Sequence, residues 1–228
     1  MSITLVCGDV HGRTEVVHAL RKYAYENNTP VCFVGDIIDS YDRTVEDDIE
    51  CMNLVLDLAD DGLATLIYGN HELSYLRPHM ACSRYNTTMA DWITQNKSRI
   101  EKTFVTHKWV GQYLVTHAGL GQQHFVLSGA SDVMDYLHNC IDAQDDIGYC
   151  RGGTASYGGI YWNDYRYEFV PIPNVKQIFG HTKVDTISQK YHGNYCIDCL
   201  GKTNAVLSVD TYMNKTTIMA IDLENPNA

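Results

Sequence analysis

Three short runs of apolar, largely β-branched residues each halt at a glycine and pass directly into a polar side chain. Ser2-Ile3-Thr4-Leu5-Val6-Cys7 ends at Gly8-Asp9, Val31-Cys32-Phe33-Val34 at Gly35-Asp36, and Ala64-Thr65-Leu66-Ile67-Tyr68 at Gly69-Asn70. Runs of this length and composition read as buried strands. Between the first two, Val17, Leu20 and Ala24 fall at helical spacing. Between the second and third, Ile49, Met52, Leu56 and Ala59 do the same, after Thr44-Val45-Glu46-Asp47, an acidic variant of the capping box. Strand and helix alternate, which predicts an α/β chain with parallel strands and helices outside them. In such a sheet ligands collect beyond the carboxyl ends of the strands, where these glycines stand.

Two later motifs, His117-Ala118-Gly119 and Gly180-His181-Thr182, extend the series. With Gly8-Asp9-Val10-His11-Gly12, Gly35-Asp36-Ile37-Ile38-Asp39 and Gly69-Asn70-His71-Glu72, they offer carboxylates, an amide and imidazoles beside glycines. Glycine there lets the backbone pass close to a bound ion. Oxygen and imidazole donors without thiolate suit manganese, iron or zinc in octahedral-like sites rather than a structural zinc knot. Two divalent ions roughly 3.5–4 Å apart can hold a hydroxide between them and neutralise the oxygens of a phosphate. Asp9 and His11 are two apart, so in extended backbone they would face one side and share an ion. Asn70 and His71 are adjacent and should diverge, one to metal and one to substrate.

This ordered set resembles the calcineurin-like metallophosphoesterase superfamily, phosphoprotein-phosphatase-type branch, and within it the small phage and bacterial enzymes of the lambda phage protein phosphatase kind. The resemblance runs from Gly8 to Thr182, and the strands beyond it fit as well. It implies a four-layer α/β sandwich of two mixed β-sheets, with the site at the sheets' C-terminal edges. It also implies two divalent metal ions, manganese first, with iron or zinc as alternatives. Asp9 and His11 would hold one ion, Asp36 would bridge both, and Asn70, His117 and His181 would hold the second. His71, oriented by Asp39, would protonate the leaving group.

One departure bears on substrate. In that branch the second motif ends in Asp-Arg, and the arginine grips phosphate; here Ser40 follows Asp39. Arg43 and Arg166 are the candidates to replace it. The first expectation is therefore a metal-dependent phosphatase acting on phosphorylated proteins or small phosphomonoesters. The second is a dinucleoside polyphosphate or nucleotide hydrolase of the symmetrical diadenosine tetraphosphatase type, with Tyr161, Trp162 or Tyr165 stacking on a base. Glu72 favours the first, since that relative usually carries aspartate there. A binding scaffold that lost its chemistry is a third reading, and the complete ligand set speaks against it.

Other residues read as structural. Val105-Thr106-His107 repeats Val115-Thr116-His117, but Tyr113-Leu114-Val115 is the strand-like run, so His117 is the expected ligand. His18, His79, His124, His138 and His192 have no motif around them. The Cys196-Ile197-Asp198-Cys199 pair has no partner pair and falls in a strand-like run. The Gly152-Gly153 to Gly158-Gly159 segment lacks the order of a nucleotide P-loop and is expected to lend flexibility near the site. The acidic balance, 17 basic against 28 acidic residues for a net −11, disfavours duplex nucleic acid as partner. With no apolar stretch long enough to cross a membrane and cysteines in buried strands, the chain is expected in the cytoplasm, the host's if phage-encoded. The ligands span most of 1–228, predicting one domain, with irregular substrate-covering stretches at about 73–108 and 121–166. The first holds a helix from Thr88 to Ile100, the second a short one from Asp132 to Cys140, and 225–228 should fray.

Overall fold

The computed structural model describes residues 3–77, 80, 82–138, 151 and 155–223. Its first sheet is ordered β11 (Lys215–Ala220), β10 (Ala205–Asp210), β1 (Ile3–Cys7), β2 (Val31–Phe33), β3 (Ala64–Ile67), β4 (Phe104–Val105). The strands β1 to β4 run parallel, as the alternation of strand and helix predicts, and β10 and β11 add antiparallel. The second sheet is ordered β5 (Lys108–Val110), β6 (Tyr113–Val115), β7 (Lys176–Phe179), β9 (Asn194–Cys196), β8 (Ser188–Tyr191), with β6, β7 and β9 parallel between antiparallel edges.

The two-residue period of the strands decides which core each side chain joins. Leu5, Cys7, Val31, Phe33 and Leu66 face α1 (Thr14–Asn27), α2 (Val45–Asp60) and α4 (Thr87–Thr103). Val6, Cys32, Ile67 and Leu207 face the other way and pack on Val115 and Ile178 of the second sheet. Register preserves this sorting, because Val6 pairs with Cys32 on one side and Leu207 on the other. Each such large side chain, fully buried, contributes about 1.5–3 kcal/mol. The far face of the second sheet is covered by Leu120, Tyr136, Leu137, Ile160 and Tyr161 around Leu114. The layers are helices, sheet, sheet and a mixed outer layer, the expected four-layer sandwich. The predicted cap of α2 is present: Thr44 Oγ1 accepts the Asp47 N–H at 3.2 Å, and Asp47 Oδ2 accepts the Thr44 N–H at 2.9 Å.

Some expectations need correction. The stretches at 73–108 and 121–166 hold more regular structure than their polarity suggests. The first carries α4, the helix expected from Thr88 to Ile100, and beyond it the end of α3 (Asn70–Leu76), β4 and the start of β5; the second holds α6 (Val133–Asp135), within the helix expected from Asp132, and beyond it α5 (Gln122–Ser128). The edge strands β5 and β8 are largely exposed and so present no apolar run to read. His107 also follows a strand, the short edge strand β4, so the distinction drawn from Tyr113-Leu114-Val115 does not separate it from His117. Cys140, Gly152, Gly153, His79 and 225–228 lie outside the described residues.

Candidate metal centre

The five motifs converge at the carboxyl ends of β1, β2, β3, β6 and β7. Four of the functional candidates there occupy left-handed backbone, a sparse region for residues with a Cβ: His11 (φ 46°), Asp36 (50°), Asp39 (65°) and His181 (65°). Such conformations cost about 1–3 kcal/mol each and persist only when their surroundings over-determine them. For Asp36 the restraint is Glu72, wholly buried, whose Oε2 accepts the N–H groups of Asp36 (3.0 Å) and Gly69 (2.9 Å). Its Oε1 accepts that of Ile37 at 2.8 Å. The second and third motifs are thereby held together.

His117 Nδ1–H donates to the Val34 carbonyl at 2.9 Å, which turns Nε2 inward. There it faces Asn70 Oδ1 at 2.9 Å, His181 Nδ1 at 3.2 Å and Asp36 Oδ2 at 3.4 Å. One proton on His117 Nε2 can be directed at only one of those lone pairs. A cation satisfies all of them, so the donor set fits a metal ion. On the other side of Asp36, His11 Nδ1–H donates to the Ile38 carbonyl at 2.8 Å and leaves Nε2 3.9 Å from Asp36 Oδ2. His11, Asp36 and His71 form one group of donor atoms within 4.8 Å of one another, and Asp36, His117 and His181 form a second. Asp36 belongs to both.

Asp9 lies in neither group, and His11, two residues on, sits in left-handed rather than extended backbone. Both Asp9 carboxylate oxygens instead accept the His181 N–H, at 3.1 and 2.9 Å. Asp9 is wholly buried beside a second carboxylate, Asp198, whose Oδ2 is buried with no hydrogen-bond partner. Burial, then Asp198, pushes the Asp9 carboxyl well above its ordinary range. Divalent charge reverses that balance, so these acids also suit a cation. Burial holds His11 down at about 4 and His181 at about 3, keeping both imidazoles neutral with lone pairs free to ligate.

Asn70 and His71 diverge as expected, from the first turn of α3. Asn70 turns to His117, while His71 Nδ1 lies 2.9 Å from Asp39 Oδ2. Burial opposes charge on His71, but Asp36 and Asp39 outweigh it and push the imidazole up to about 12. Its Nε2 stands 3.9 Å from Asp36 Oδ2.

A cavity of about 460 Å³ opens on the centre, lined by His11, Asp36, Asn70, His71 and His181 together with Tyr41, Cys82, Ser83, Arg151, Trp162, Arg166 and Lys183. Arg166 lines this cavity, its side chain 56% exposed and its Nε 3.7 Å from Asp164 Oδ1. Arg43 does not: its guanidinium is taken by Glu15 at 2.6 Å, and it lines a separate polar hollow behind Asp39. Glu15, in the first turn of α1, draws it there from 28 positions away in sequence. Arg84, not Arg43, reaches Ser40, donating from Nε to its carbonyl at 3.1 Å. Tyr161 and Tyr165 are buried in hydrophobic clusters, which removes them as base-stacking surfaces and leaves Trp162. Sequence reasoning passed over Arg151 and Lys183. Lys183 had a signal, since it directly follows the Gly180-His181-Thr182 motif. Cys196 and Cys199 are free thiols in separate clusters. Among the described residues no helix is long and apolar enough to cross a membrane.

The sequence profile of the calcineurin-like phosphoesterases matches residues 3–185. The chain belongs to this family. Among curated proteins none matches by sequence. Solved structures share the fold. A cold-active protein-tyrosine phosphatase of a psychrophilic Shewanella species is 18% identical, with a TM-score of 0.64 over 97% of this chain and 81% of that one. A protein serine/threonine phosphatase from Saccharomyces cerevisiae with similarity to human phosphatase PP5 is 15% identical, with a TM-score of 0.57 over 96% and 79%. A provisional diadenosine tetraphosphatase is 15% identical, with a TM-score of 0.53 over 96% and 93%. Membership implies a metal-dependent phosphoesterase, and the two donor groups around Asp36 are the residues that would hold its ions.

Proposed function

We propose that this chain is a dinuclear metal-dependent phosphatase that hydrolyses phosphomonoesters, on phosphorylated proteins or small molecules. The observation that carries this is the His71–Asp39 pair, 2.9 Å apart, whose His71 lines the cavity beside His11, Asp36, His181 and Arg166. Asp9, His11, Asp36, Asn70, His117 and His181 would hold two divalent ions, manganese by preference. When bound, such ions polarise a phosphate and acidify water towards neutrality. Arg166, with Arg151 and Lys183 beside it, meets the remaining phosphate oxygens; guanidinium forks fix a phosphate's orientation as well as its charge. His71 keeps its Nδ1–H on Asp39 and delivers the Nε2 proton to the departing oxygen.

The dinucleotide alternative keeps two aromatic side chains at the cavity, Tyr41 and Trp162, but Arg84 and Lys183 already lie 5.0 and 5.5 Å from the Tyr41 ring and Arg151 lies 4.7 Å from the Trp162 ring. Assay of the purified, manganese-loaded protein against phosphopeptides, mononucleotides and diadenosine polyphosphates tests the proposal. Turnover of monoesters with negligible cleavage of diadenosine tetraphosphate is the expected result; the reverse preference overturns it. The free thiols among the described residues fit a reducing cytoplasm.

A further inference from the structure

Asp39 has two carboxylate oxygens and, on its side chain, two separate claimants. His71 Nδ1 occupies Oδ2 at 2.9 Å, while Oδ1 accepts the phenol of Tyr75 at 2.6 Å. Tyr75 lies one turn after His71 on α3, so the same helix presents both donors to one carboxylate. The phenol oxygen in turn accepts the N–H of Asn86, at 3.0 Å, and Asn86 is the N-cap of α4. The ring is stacked on Tyr85, centroids 4.7 Å apart and planes 19° from parallel. Asp39 itself sits in left-handed backbone, where its N–H donates to Asp48 Oδ2 at 3.1 Å. Every polar contact of this carboxylate is directional, and the carboxylate is almost completely buried.

Building on the phosphatase proposed above, we infer that Tyr75 is a positioning residue for the proton donor: it fixes the plane of the Asp39 carboxylate and thereby the direction in which His71 Nε2 delivers its proton. A carboxylate held through one oxygen can rotate about its Cβ–Cγ bond, carrying the imidazole with it. Held through both, it cannot. Tyr75 acts on His71 through Asp39, and its own hydrogen bonds go to Asp39 and Asn86, to none of the residues proposed as ligands. With His71 as proton donor, the influence falls on leaving-group protonation, the step that matters for alkyl phosphates and hardly for aryl phosphates with acidic leaving groups.

Tyr75→Phe removes the phenol and keeps the stacked ring. In the manganese-loaded enzyme, kcat on an alkyl phosphate such as a phosphoserine peptide should fall about tenfold, in line with loss of one hydrogen bond to a charged group. On p-nitrophenyl phosphate it should stay within about twofold, with metal content and melting temperature near wild type. Equal losses on both substrates, or none on either, overturn the inference. A measurement free of turnover separates this inference from the phosphatase reading. The His71 Nδ1–H proton resonance, recorded in the metal-free protein, should move in Tyr75→Phe and return towards its wild-type position in no variant that lacks a donor at residue 75. An unmoved resonance overturns the positioning role even if the wild type hydrolyses neither substrate, which would count against the phosphatase reading alone.

Discussion

The carboxylate of Glu72 accepts the backbone N–H of Asp36 at 3.0 Å, and so a residue on α3 sets the backbone of the carboxylate shared by both donor groups. Asp36 holds a left-handed conformation that its own side chain disfavours. Glu72 supplies the compensation by taking three N–H groups from two loops. Glu72→Gln exchanges one acceptor oxygen for a donor facing those N–H groups. Leaving buried polar groups unsatisfied costs roughly 1–3 kcal/mol each. Urea unfolding should show a loss of at least that size, and titration should show weaker metal uptake. A variant that keeps both wild-type stability and wild-type affinity would show that Asp36 holds its turn unaided.

Asp36→Asn should deplete both metal positions, because this residue alone belongs to both donor groups. Metal analysis of dialysed protein should fall from near two ions per chain towards none. His181→Asn should leave the position built on His11 and Asp36 occupied. Full phosphatase activity in exhaustively chelated wild type would remove the ground for a two-ion centre.

His71→Asn should lower kcat by ~10²–10⁴, the usual contribution of a positioned acid. The loss should shrink on aryl phosphates. His71 also lies within reach of the His11–Asp36 donor group, so metal content decides its role. Content near wild type identifies a proton donor, whereas loss of one ion would make His71 a ligand.

Arg166→Ala should reduce kcat/KM for phosphomonoesters by roughly ten- to a hundredfold, since a charged hydrogen bond is worth ~1.5–3 kcal/mol. Inhibition by inorganic phosphate should weaken in step. Arg43→Ala should change little, because its partner is Glu15 and the exposed pair contributes at most about 1 kcal/mol to stability. Comparable kinetic losses in the two variants would mean that Arg43 swings inward when substrate binds.

His124 offers a test away from the centre. It is buried on α5 with Nε2 2.9 Å from the Tyr136 hydroxyl, and burial holds it down at about 4, below the ordinary 6.5. The native state thus keeps it neutral while the unfolded chain protonates it. Its contribution is fully present above pH 6.5 and is lost as pH falls towards 4, by about 3 kcal/mol at most. In His124→Gln the fall in stability over that window should be smaller than in wild type, measured by urea unfolding of metal-free protein at each pH.

The legible parts of this chain are those where one local rule acts alone. The runs at Leu5, Val31 and Leu66 are buried on both faces, so their apolar continuity could be read directly, as could the Thr44 cap. The strands β5 and β8 are exposed edges held by their neighbours' hydrogen bonds, and nothing in Lys108-Trp109-Val110 or Ser188-Gln189-Lys190-Tyr191 announces them. The motif residues could be placed at one sheet edge because glycine and strand end coincide. Their orientations could not. Asp9 turns to the His181 N–H and Arg43 to Glu15 because of residues far away in sequence. Tyr75 was overlooked for the same reason, since its partner Asp39 stands 36 positions earlier.

The hydrogen bond from the His181 N–H to Asp9 closes a loop 172 residues long. Bringing such distant ends together costs chain entropy that only the docking of both sheets recovers. A nascent chain that has made its first three strands already owns Asp9, His11, Asp36, Asn70 and His71, yet it lacks the imidazoles of the second sheet and the restraint on Asp9. Ions held there as proposed would meet their full ligand set last, when folding is nearly complete. Their grip would then act chiefly as a brake on unfolding, with little influence on how fast the chain first collapses.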